Sequence, residues 1–322
     1  MNCLCCGKPI TDKATEQERQ NCWHTSCIRK FFGTGKMPEI DITENNLRRI
    51  AVESTNKGYT VPGVQKKLSL HLSSGREPRL TLVNYPTGYI LKPQTEEFEA
   101  LPEAEFLVMQ MAAATGIKTV PFALLHVNDS FAYITKRIDR VLPSRKEMTL
   151  KMLAMEDYCQ LDERQTQDKY RGSYERCGKI ISQYSESTGL DLSEMFLRIV
   201  FSYAVGNSDM HLKNFSLIET EENSKKYVLS AAYDMLPVNA VMPEDNEQLA
   251  LTLNGKKRNL HKNDFFVFAK SCKISEVSAD KMLASVASLR DTYISMCEKS
   301  FLPYDMKERL VILINERTEN LI

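Results

Sequence analysis

The sequence predicts an α+β protein of two lobes, a small β-rich lobe followed by a larger helical one, with a short cysteine-rich knuckle in front of both. Three observations carry this. Cys3, Cys5, Cys6, Cys22 and Cys27 crowd the start of a chain that has nine cysteines in 322 residues. From Tyr59 to Ile138 the apolar residues recur mainly at the two-residue period of strands, with one helical interruption. Beyond residue 150 the period is helical. The expected divisions are 1–40 for the knuckle, 41–140 for the β-rich lobe and 141–322 for the helical lobe.

The elements follow in order. The first unit ends in the loop signal Gly33-Thr34-Gly35-Lys36-Met37-Pro38. Asp41 to Ser54 reads as a helix that Thr43 can cap, with Leu47, Ile50 and Ala51 on one face. Val64 to Leu72 ends in alternation, and Ser73-Ser74-Gly75 supplies a turn. Arg79–Val83 and Tyr89–Lys92 are expected to pair around Pro86-Thr87-Gly88. A helix follows with Pro102 in its first turn, Phe106, Leu107 and Met111 on its apolar face and Gly116 as its stop. Strands Phe122–Val127 and Phe131–Ile138 flank Asn128-Asp129. Helical patterns then cover 150–160, 174–188, 191–206, 263–272, 275–297 and 303–317.

Composition narrows the function classes. Hydrophobic residues at 43% and charged residues at 26% are those of a folded globular chain. Equal numbers of basic and acidic residues, 42 of each, leave no overall electrostatic footprint for nucleic acid. No apolar run reaches the ~18 residues of a membrane span. Met-Asn-Cys-Leu-Cys-Cys has neither a basic nor an apolar signal region, so the expected location is cytoplasmic. In a reducing compartment the crowded thiols read as metal ligands, and the scattered Cys159, Cys177, Cys272 and Cys297 as small core residues.

Gly206-Asn207-Ser208-Asp209-Met210-His211-Leu212-Lys213-Asn214-Phe215 is the most informative stretch. Its D-x-x-x-x-N spacing suits phosphoryl transfer: Asp209 can accept a hydroxyl proton, and the Asn214 amide oxygen can reach Mg²⁺. Asp234, in Ala231-Ala232-Tyr233-Asp234, is expected at the end of a short strand, where a second Mg²⁺-binding carboxylate belongs. Lys92 ends an apolar strand and can grip phosphates if Glu105, or Glu103, on the next helix holds it. Lys92, Glu105, Asp209, Asn214 and Asp234 in that order have the character of a protein-kinase-type active site.

The chain resembles the HipA-like serine/threonine kinases, the toxin components of bacterial toxin–antitoxin systems. The resemblance covers roughly residues 55–320. It rests on Val61-Pro62-Gly63-Val64-Gln65-Lys66-Lys67-Leu68, Ile90-Leu91-Lys92-Pro93, Pro102-Glu103-Ala104-Glu105, Lys136-Arg137-Ile138-Asp139-Arg140, Glu156-Asp157-Tyr158-Cys159-Gln160, Gly206 through Phe215, and Ala232-Tyr233-Asp234. It implies a protein-kinase-like fold that uses ATP and Mg²⁺. Asp209 would be the catalytic base, with Asn214 and Asp234 on the metal. Val61, Gly63, Gln65, Lys67, Lys92, Glu105, Lys136, Ile138, His211 and Lys213 would line the nucleotide site, with Thr135 to Ile138 near the adenine. Aligned on Gly63, Thr60 occupies the position of the family's autophosphorylated hydroxyl residue, and a phosphate there would add about −1.5 to −2 charges. The resemblance also implies a protein substrate of the translation apparatus, possible in the form of an aminoacyl-tRNA synthetase, and an antitoxin partner with a DNA-binding helix-turn-helix. The glycine-rich loop of ordinary protein kinases is missing, and Met235 stands where their metal-binding motif has glycine. The chain is shorter than the long HipA form and is similar to the compact toxins. Two other readings are a small-molecule phosphotransferase of the aminoglycoside-kinase type and an inert kinase-fold interaction module.

The leader is read from its residues. Cys3-x-x-Cys6 with His24-x-x-Cys27 offers four ligands suited to structural zinc, and Cys5 and Cys22 are possible substitutes. Trp23, Phe31 and Phe32 can pack the knuckle onto the rest of the chain. Lys256-Lys257-Arg258 with His261 and Lys262 is the densest basic run, a solvated loop or a patch for an acidic partner.

Overall fold

The structure, a computed structural model, describes residues 1–40, 67–73, 77–81, 87–141 and 150–322. The expected helix over 41–54, the turn at Ser74-Gly75, and Thr60, Val61, Gly63 and Gln65 lie outside the described residues. The chain divides into two compact units. The first comprises Met1–Phe106, Pro121–Arg137 and Ser144–Leu150; the second comprises Leu107–Val120, Ile138–Pro143 and Lys151–Ile322. The leader counts with the first unit, and 107–120 counts with the second.

In the first unit the leader supplies two short helices, α1 (Glu16–Asn21) and α2 (Thr25–Phe32), and strand β1 (Glu39–Ile40). A capping box starts α1: Thr15 accepts from the Glu18 amide while Glu18 reaches back to the Thr15 amide. Then come β2 (Leu68–Leu72), β3 (Arg79–Thr81), β4 (Tyr89–Pro93), the first turns of α3 (Leu101–Ala114), β5 (Phe122–Val127) and β6 (Ser130–Lys136). The sheet order is β1-β3-β2-β4-β6-β5. The expected β3–β4 pair is therefore not formed, because β2 lies between them and pairs with both. Leu68 and Leu70 of the inserted strand are buried together with Leu80 and Leu91 of its neighbours, so this order adds two leucines to the sheet's core. The strand expected to run on to Ile138 ends at Lys136.

The two faces of β4 carry different things. Tyr89 points to the leader, where its ring lies against Phe31 and Phe32 and its hydroxyl donates to the Phe31 carbonyl. Lys92, three residues on, points to the opposite face, as the two-residue strand period requires. There it pairs in register with Tyr133 and sits over that ring. Phe122 stacks on Tyr133 and meets Phe106 edge-on, which seats the start of α3 on this face.

The second unit is built around α6. Its helices are α4 (Tyr158–Leu161), α5 (Tyr174–Tyr184), α6 (Thr188–Ala204), α7 (Val238–Val241), α8 (Lys262–Ser271), α9 (Glu276–Ser288), α10 (Arg290–Glu298) and α11 (Tyr304–Glu319). Met195, Phe196, Ile199, Val200, Phe201 and Tyr203 make α6 apolar on most sides, so other elements surround it. Phe196 stacks on Phe268 of α8, Phe201 meets Tyr293 of α10, and Tyr203 meets Phe265 of α8. The stretch expected as one helix over 275–297 breaks at Leu289.

The stretch 150–160 is a correction. It holds strands β8 (Lys151–Met152) and β9 (Met155–Asp157) before the short α4, not a helix. β8 pairs with β7 (Arg140–Val141), and β9 pairs with β10 (Ser216–Glu219), whose other neighbour is β11 (Tyr227–Leu229). Ladder partners, one of them about sixty residues away in β10, override the local pattern here. The scattered cysteines Cys159, Cys177, Cys272 and Cys297 are all buried, and burial pushes the thiols of Cys272 and Cys297 up to about 11. They are core fillers. Among the described residues no helix is long and apolar enough to cross a membrane.

Candidate active site

Each unit assembles one part of the expected constellation. In the first, the Lys92 ammonium lies 2.6 and 2.7 Å from the two carboxylate oxygens of Glu105, and both side chains are almost fully buried. The choice between Glu105 and Glu103 is thereby made. Glu103 lies elsewhere on the helix, with its carboxyl pushed up by burial. A buried ammonium between two regular elements, held by a bidentate carboxylate, is a fixed positive charge suited to gripping phosphate oxygens.

In the second unit α6 ends at Ala204 and the chain turns at Gly206, which aims the loop. The Asn207 amide donates to the Ser202 carbonyl at 2.8 Å and the Gly206 amide to Tyr203, a Schellman-type closure. Gly206 has φ +69, and a Cβ there would come within 2.8 Å of Leu313. Only glycine turns the chain at this point without strain.

The loop is then braced from several sides. Asn207 Oδ1 accepts from the Asp209 amide, the Tyr174 hydroxyl donates to the Met210 carbonyl, and the Ser208 hydroxyl donates to Asp245 at 2.6 Å. Asn214 closes it: its Nδ2 donates to the Asp209 carbonyl at 2.8 Å, which turns the amide oxygen the other way. Asp209 is half-buried, with 38% of its side chain exposed. A buried scaffold thus presents a carboxylate that solvent still reaches.

Asp234 lies five residues beyond β11 and not at the end of a strand, in the left-handed region at φ 59. Such a conformation costs a non-glycine residue about 1–2 kcal/mol and persists where the surroundings enforce it, often at functional sites. The preceding Tyr233 is the enforcer. Its hydroxyl donates to the Lys213 carbonyl at 3.1 Å and accepts from Ser216 at 2.5 Å. The Ala232 backbone pairs with Lys118 and Val120. The Asp234 segment is therefore tied to the Asn214 loop through Tyr233.

The other expected site residues have these placements. Lys213 pairs with Asp157 at 2.6 Å. His211 is buried with Nε2 3.8 Å from Asp209, against the Tyr170 ring. Lys136 directs its ammonium to the Lys30 carbonyl and over the Phe31 ring, on the Tyr89 face of the sheet and not the Lys92 face. Ile138 follows the end of β6 and opens a segment of the second unit. Lys67 is exposed at the start of β2.

One participant escapes sequence reasoning. The Tyr170 hydroxyl donates to Asp209 Oδ1 in a short hydrogen bond. Burial, and then the neighbouring Asp209 charge, push its phenol above the ordinary value, so it stays a donor. Lys169-Tyr170-Arg171-Gly172 sits in a loop with no periodicity, and no signal marks it. The basic run is largely neutralised: Lys256 pairs with Asp264, Lys257 with Glu247 and Lys262 with Asp280.

In the leader, the ligand atoms of Cys3, Cys6, His24 and Cys27 all lie within 4.8 Å of one another. Cys5 and Cys22 stay outside this group, the Cys22 thiol lying against the Met1 sulfur and the Arg19 carbonyl.

The family model for the HipA-like C-terminal domain matches residues 59–293. The chain belongs to the HipA-like family. A Haemophilus influenzae protein named "Putative kinase" is 27% identical over 289 residues, 83% of this chain and 82% of that protein. A Sinorhizobium fredii protein named "Putative kinase Y4dM" is 28% identical over 68% of this chain, which spans 54% of that longer protein. Among solved structures, HipA from Shewanella oneidensis MR-1, in its complex with HipB and operator DNA, superposes with a TM-score of 0.66 at 18% identity, over 81% of this chain and 64% of that one. The Helicobacter pylori proinflammatory kinase CtkA gives 0.53 at 14% identity, over 77% and 90%. The fold is thus the two-lobed kinase-like one, and the HipA-like chain is of the kinase type.

Proposed function

We propose that this HipA-like chain is an ATP- and Mg²⁺-dependent serine/threonine protein kinase and the toxin of a toxin–antitoxin pair. The observation that carries the reading is the loop from Asp209 to Asn214. Its asparagine side chain donates back to the aspartate backbone carbonyl, so the two residues are tied together and the amide oxygen is left for a ligand. The donor set is all oxygen, which fits a hard cation, and the enforced backbone of Asp234 supports the same assignment. Bound at Asn214 and Asp234, Mg²⁺ would neutralise charge on the nucleotide phosphates.

In this reading Lys92, steadied by Glu105, holds phosphate oxygens. Asp209 accepts the proton of the acceptor hydroxyl as its oxygen bonds to the γ-phosphorus. The bond from that phosphorus to the β–γ bridging oxygen breaks and ADP leaves. The Tyr170 hydroxyl donates to Asp209 Oδ1, so in this reading it competes with the acceptor hydroxyl for that carboxylate. Val61, Gly63, Gln65 and Lys67 would cover the nucleotide, with Ile138, His211 and Lys213 nearby, and Thr60 would be the autophosphorylated residue; the Lys136 ammonium, on the Tyr89 face, is left out of this site. A translation component such as an aminoacyl-tRNA synthetase is the proposed substrate, and a helix-turn-helix antitoxin the proposed partner. Any metal held by Cys3, Cys6, His24 and Cys27 of the leader would take no part in the transfer.

Intact-mass measurement of the purified chain before and after Mg·ATP, with and without prior phosphatase, tests this. Phosphate gain is expected in the parent and lost by about 10²–10⁴-fold in rate in Asp209→Asn. Equal rates in the two would remove Asp209 from the mechanism, and fragmentation placing all phosphate away from Thr60 would remove Thr60 as the autophosphorylated residue.

A further inference from the structure

The leader is the part of the first unit to which phosphoryl transfer gives no task, and it is built around its four clustered side chains. We propose that Cys3, Cys6, His24 and Cys27 bind one Zn²⁺, and that this ion is the latch holding the leader on the edge strand β5 and across the Tyr89 face of the sheet.

The site fits zinc by distance and donor type. His24 Nδ1 lies 3.4 Å from the Cys6 sulfur and 3.9 Å from the Cys27 sulfur. Tetrahedral bonds of about 2.3 Å to sulfur and 2.0–2.1 Å to nitrogen put neighbouring ligand atoms about 3.5–3.8 Å apart, so small shifts close the set. The other ring nitrogen, Nε2, is 3.3 Å from the Pro9 carbonyl, which can only accept. That contact puts the proton on Nε2 and leaves the Nδ1 lone pair for a metal, the outer-shell arrangement metal-bound histidines use. Three thiolates and an imidazole are soft ligands, unsuited to Mg²⁺ or Ca²⁺.

The leader also needs an ion. Helix α1 has no buried residue, and the buried residues of α2, namely Ile28, Phe31 and Phe32, include both rings that lie on Tyr89 of the sheet. Helices of six and eight residues do not persist alone in water. The ligands come from two separate places, the Cys3–Cys6 turn and the N-terminus of α2, and one ion joins them.

The latch follows from which residues flank the ligands. Leu4, next to Cys3, accepts at its carbonyl from the Leu124 amide at 2.8 Å. Trp23, next to His24, donates through Nε1 to the Leu124 carbonyl at 3.1 Å. Both backbone groups of Leu124 on the open edge of β5 are thus satisfied by residues adjacent to the ion, and a free strand edge is covered. Beyond them α2 lays Phe31 and Phe32 on Tyr89, and Lys30 accepts from Lys136. Then β1 joins β3 at the opposite edge of the sheet. The strand so backed, β4, is the one that carries Lys92.

Trp23 is the sole tryptophan of the chain and is fully buried, so its emission reads latch closure directly. The full chain is reconstituted with Zn²⁺ and its native and denatured masses compared. Zinc is then removed with a chelator and restored, while tryptophan emission and hydrogen exchange are followed. Expected are one zinc per chain, a red shift with faster exchange over 122–127 on removal, reversal by Zn²⁺ but not Mg²⁺, and loss of zinc in Cys6→Ser. No bound zinc after reconstitution overturns the site. Zinc whose removal leaves both emission and β5 exchange unchanged overturns the latch, as does equal deprotection of α6 in the second unit. If Cys6→Ser fails to fold, chelation of the parent chain decides. No readout involves phosphoryl transfer, so failure here is distinct from failure of the kinase reading.

Discussion

Lys92 in the first unit and Asp209 in the second are both charged residues of the candidate site, yet the chain treats them differently. Lys92 is dry, held by a carboxylate that is itself fully buried, and it stands on a strand beside a helix. Asp209 is partly exposed, on a loop, and braced through its backbone neighbours, while its carboxylate accepts from the Tyr170 hydroxyl and lies 3.8 Å from His211 Nε2. A charge that only has to stay in place can be part of the core, whereas the proton acceptor proposed at Asp209 is open to solvent. Loss of the first is therefore expected to damage the fold as well as the proposed function, and loss of the second the proposed function alone.

The largest test of this contrast is Lys92→Ala. It leaves Glu105 buried without its cation and is expected to cost about 3–5 kcal/mol, seen as a lowered urea midpoint. Asp209→Ala, in the same titration, is expected to change stability by about 1 kcal/mol or less. Equal stability losses in the two would erase the distinction. Next in size is Gly206→Ala, which forces a Cβ into the Leu313 side chain at a positive φ. About 1–3 kcal/mol should be lost, with phosphoryl transfer falling further than the fraction unfolded accounts for, because the loop is re-aimed.

A smaller effect sharpens the comparison from the functional side. Tyr170→Phe removes one hydrogen bond to Asp209 and frees the oxygen that the acceptor hydroxyl needs. A net hydrogen bond of about 0.5–1.5 kcal/mol predicts a roughly two- to tenfold rise in kcat/KM for the protein acceptor. A fall of that size would make Tyr170 a positioning residue instead of a competitor. The smallest effect is acid sensitivity. Asp162 is buried, which alone would raise its carboxyl, but hydrogen bonds from Arg164 and Arg176 outweigh that and hold it below the ordinary value. Its contribution is present above the unfolded value of about 3.9 and is lost as pH falls through the lower folded one. Below about pH 4, Asp162→Asn should flatten the loss of stability relative to the parent; parallel curves would show that Asp162 does not contribute.

Much of the constellation was legible before any coordinates. The order Lys92, Glu105, Asp209, Asn214 and Asp234 reads directly from the chain, as do strand β5, helix α3 with its Gly116 stop, and the pairing of Cys-x-x-Cys with His-x-x-Cys. These signals are local: a period, a cap or a spacing is complete within a few residues, and the chemistry of the side chains follows from their type. What only the tertiary structure decided depends on partners far apart in sequence. Whether β3 pairs with β4 or β2 is set by which leucines can be buried together, and the strand at 155–157 exists because β10, about sixty residues on, offers it a ladder. Glu105 prevails over Glu103 because of the face of α3 that meets Lys92. Tyr170 reaches Asp209 across thirty-nine residues, and Leu124 is capped by a leader more than a hundred residues away. Sequence spacing determines which residues share a face. Which faces meet is decided by burial of the whole chain.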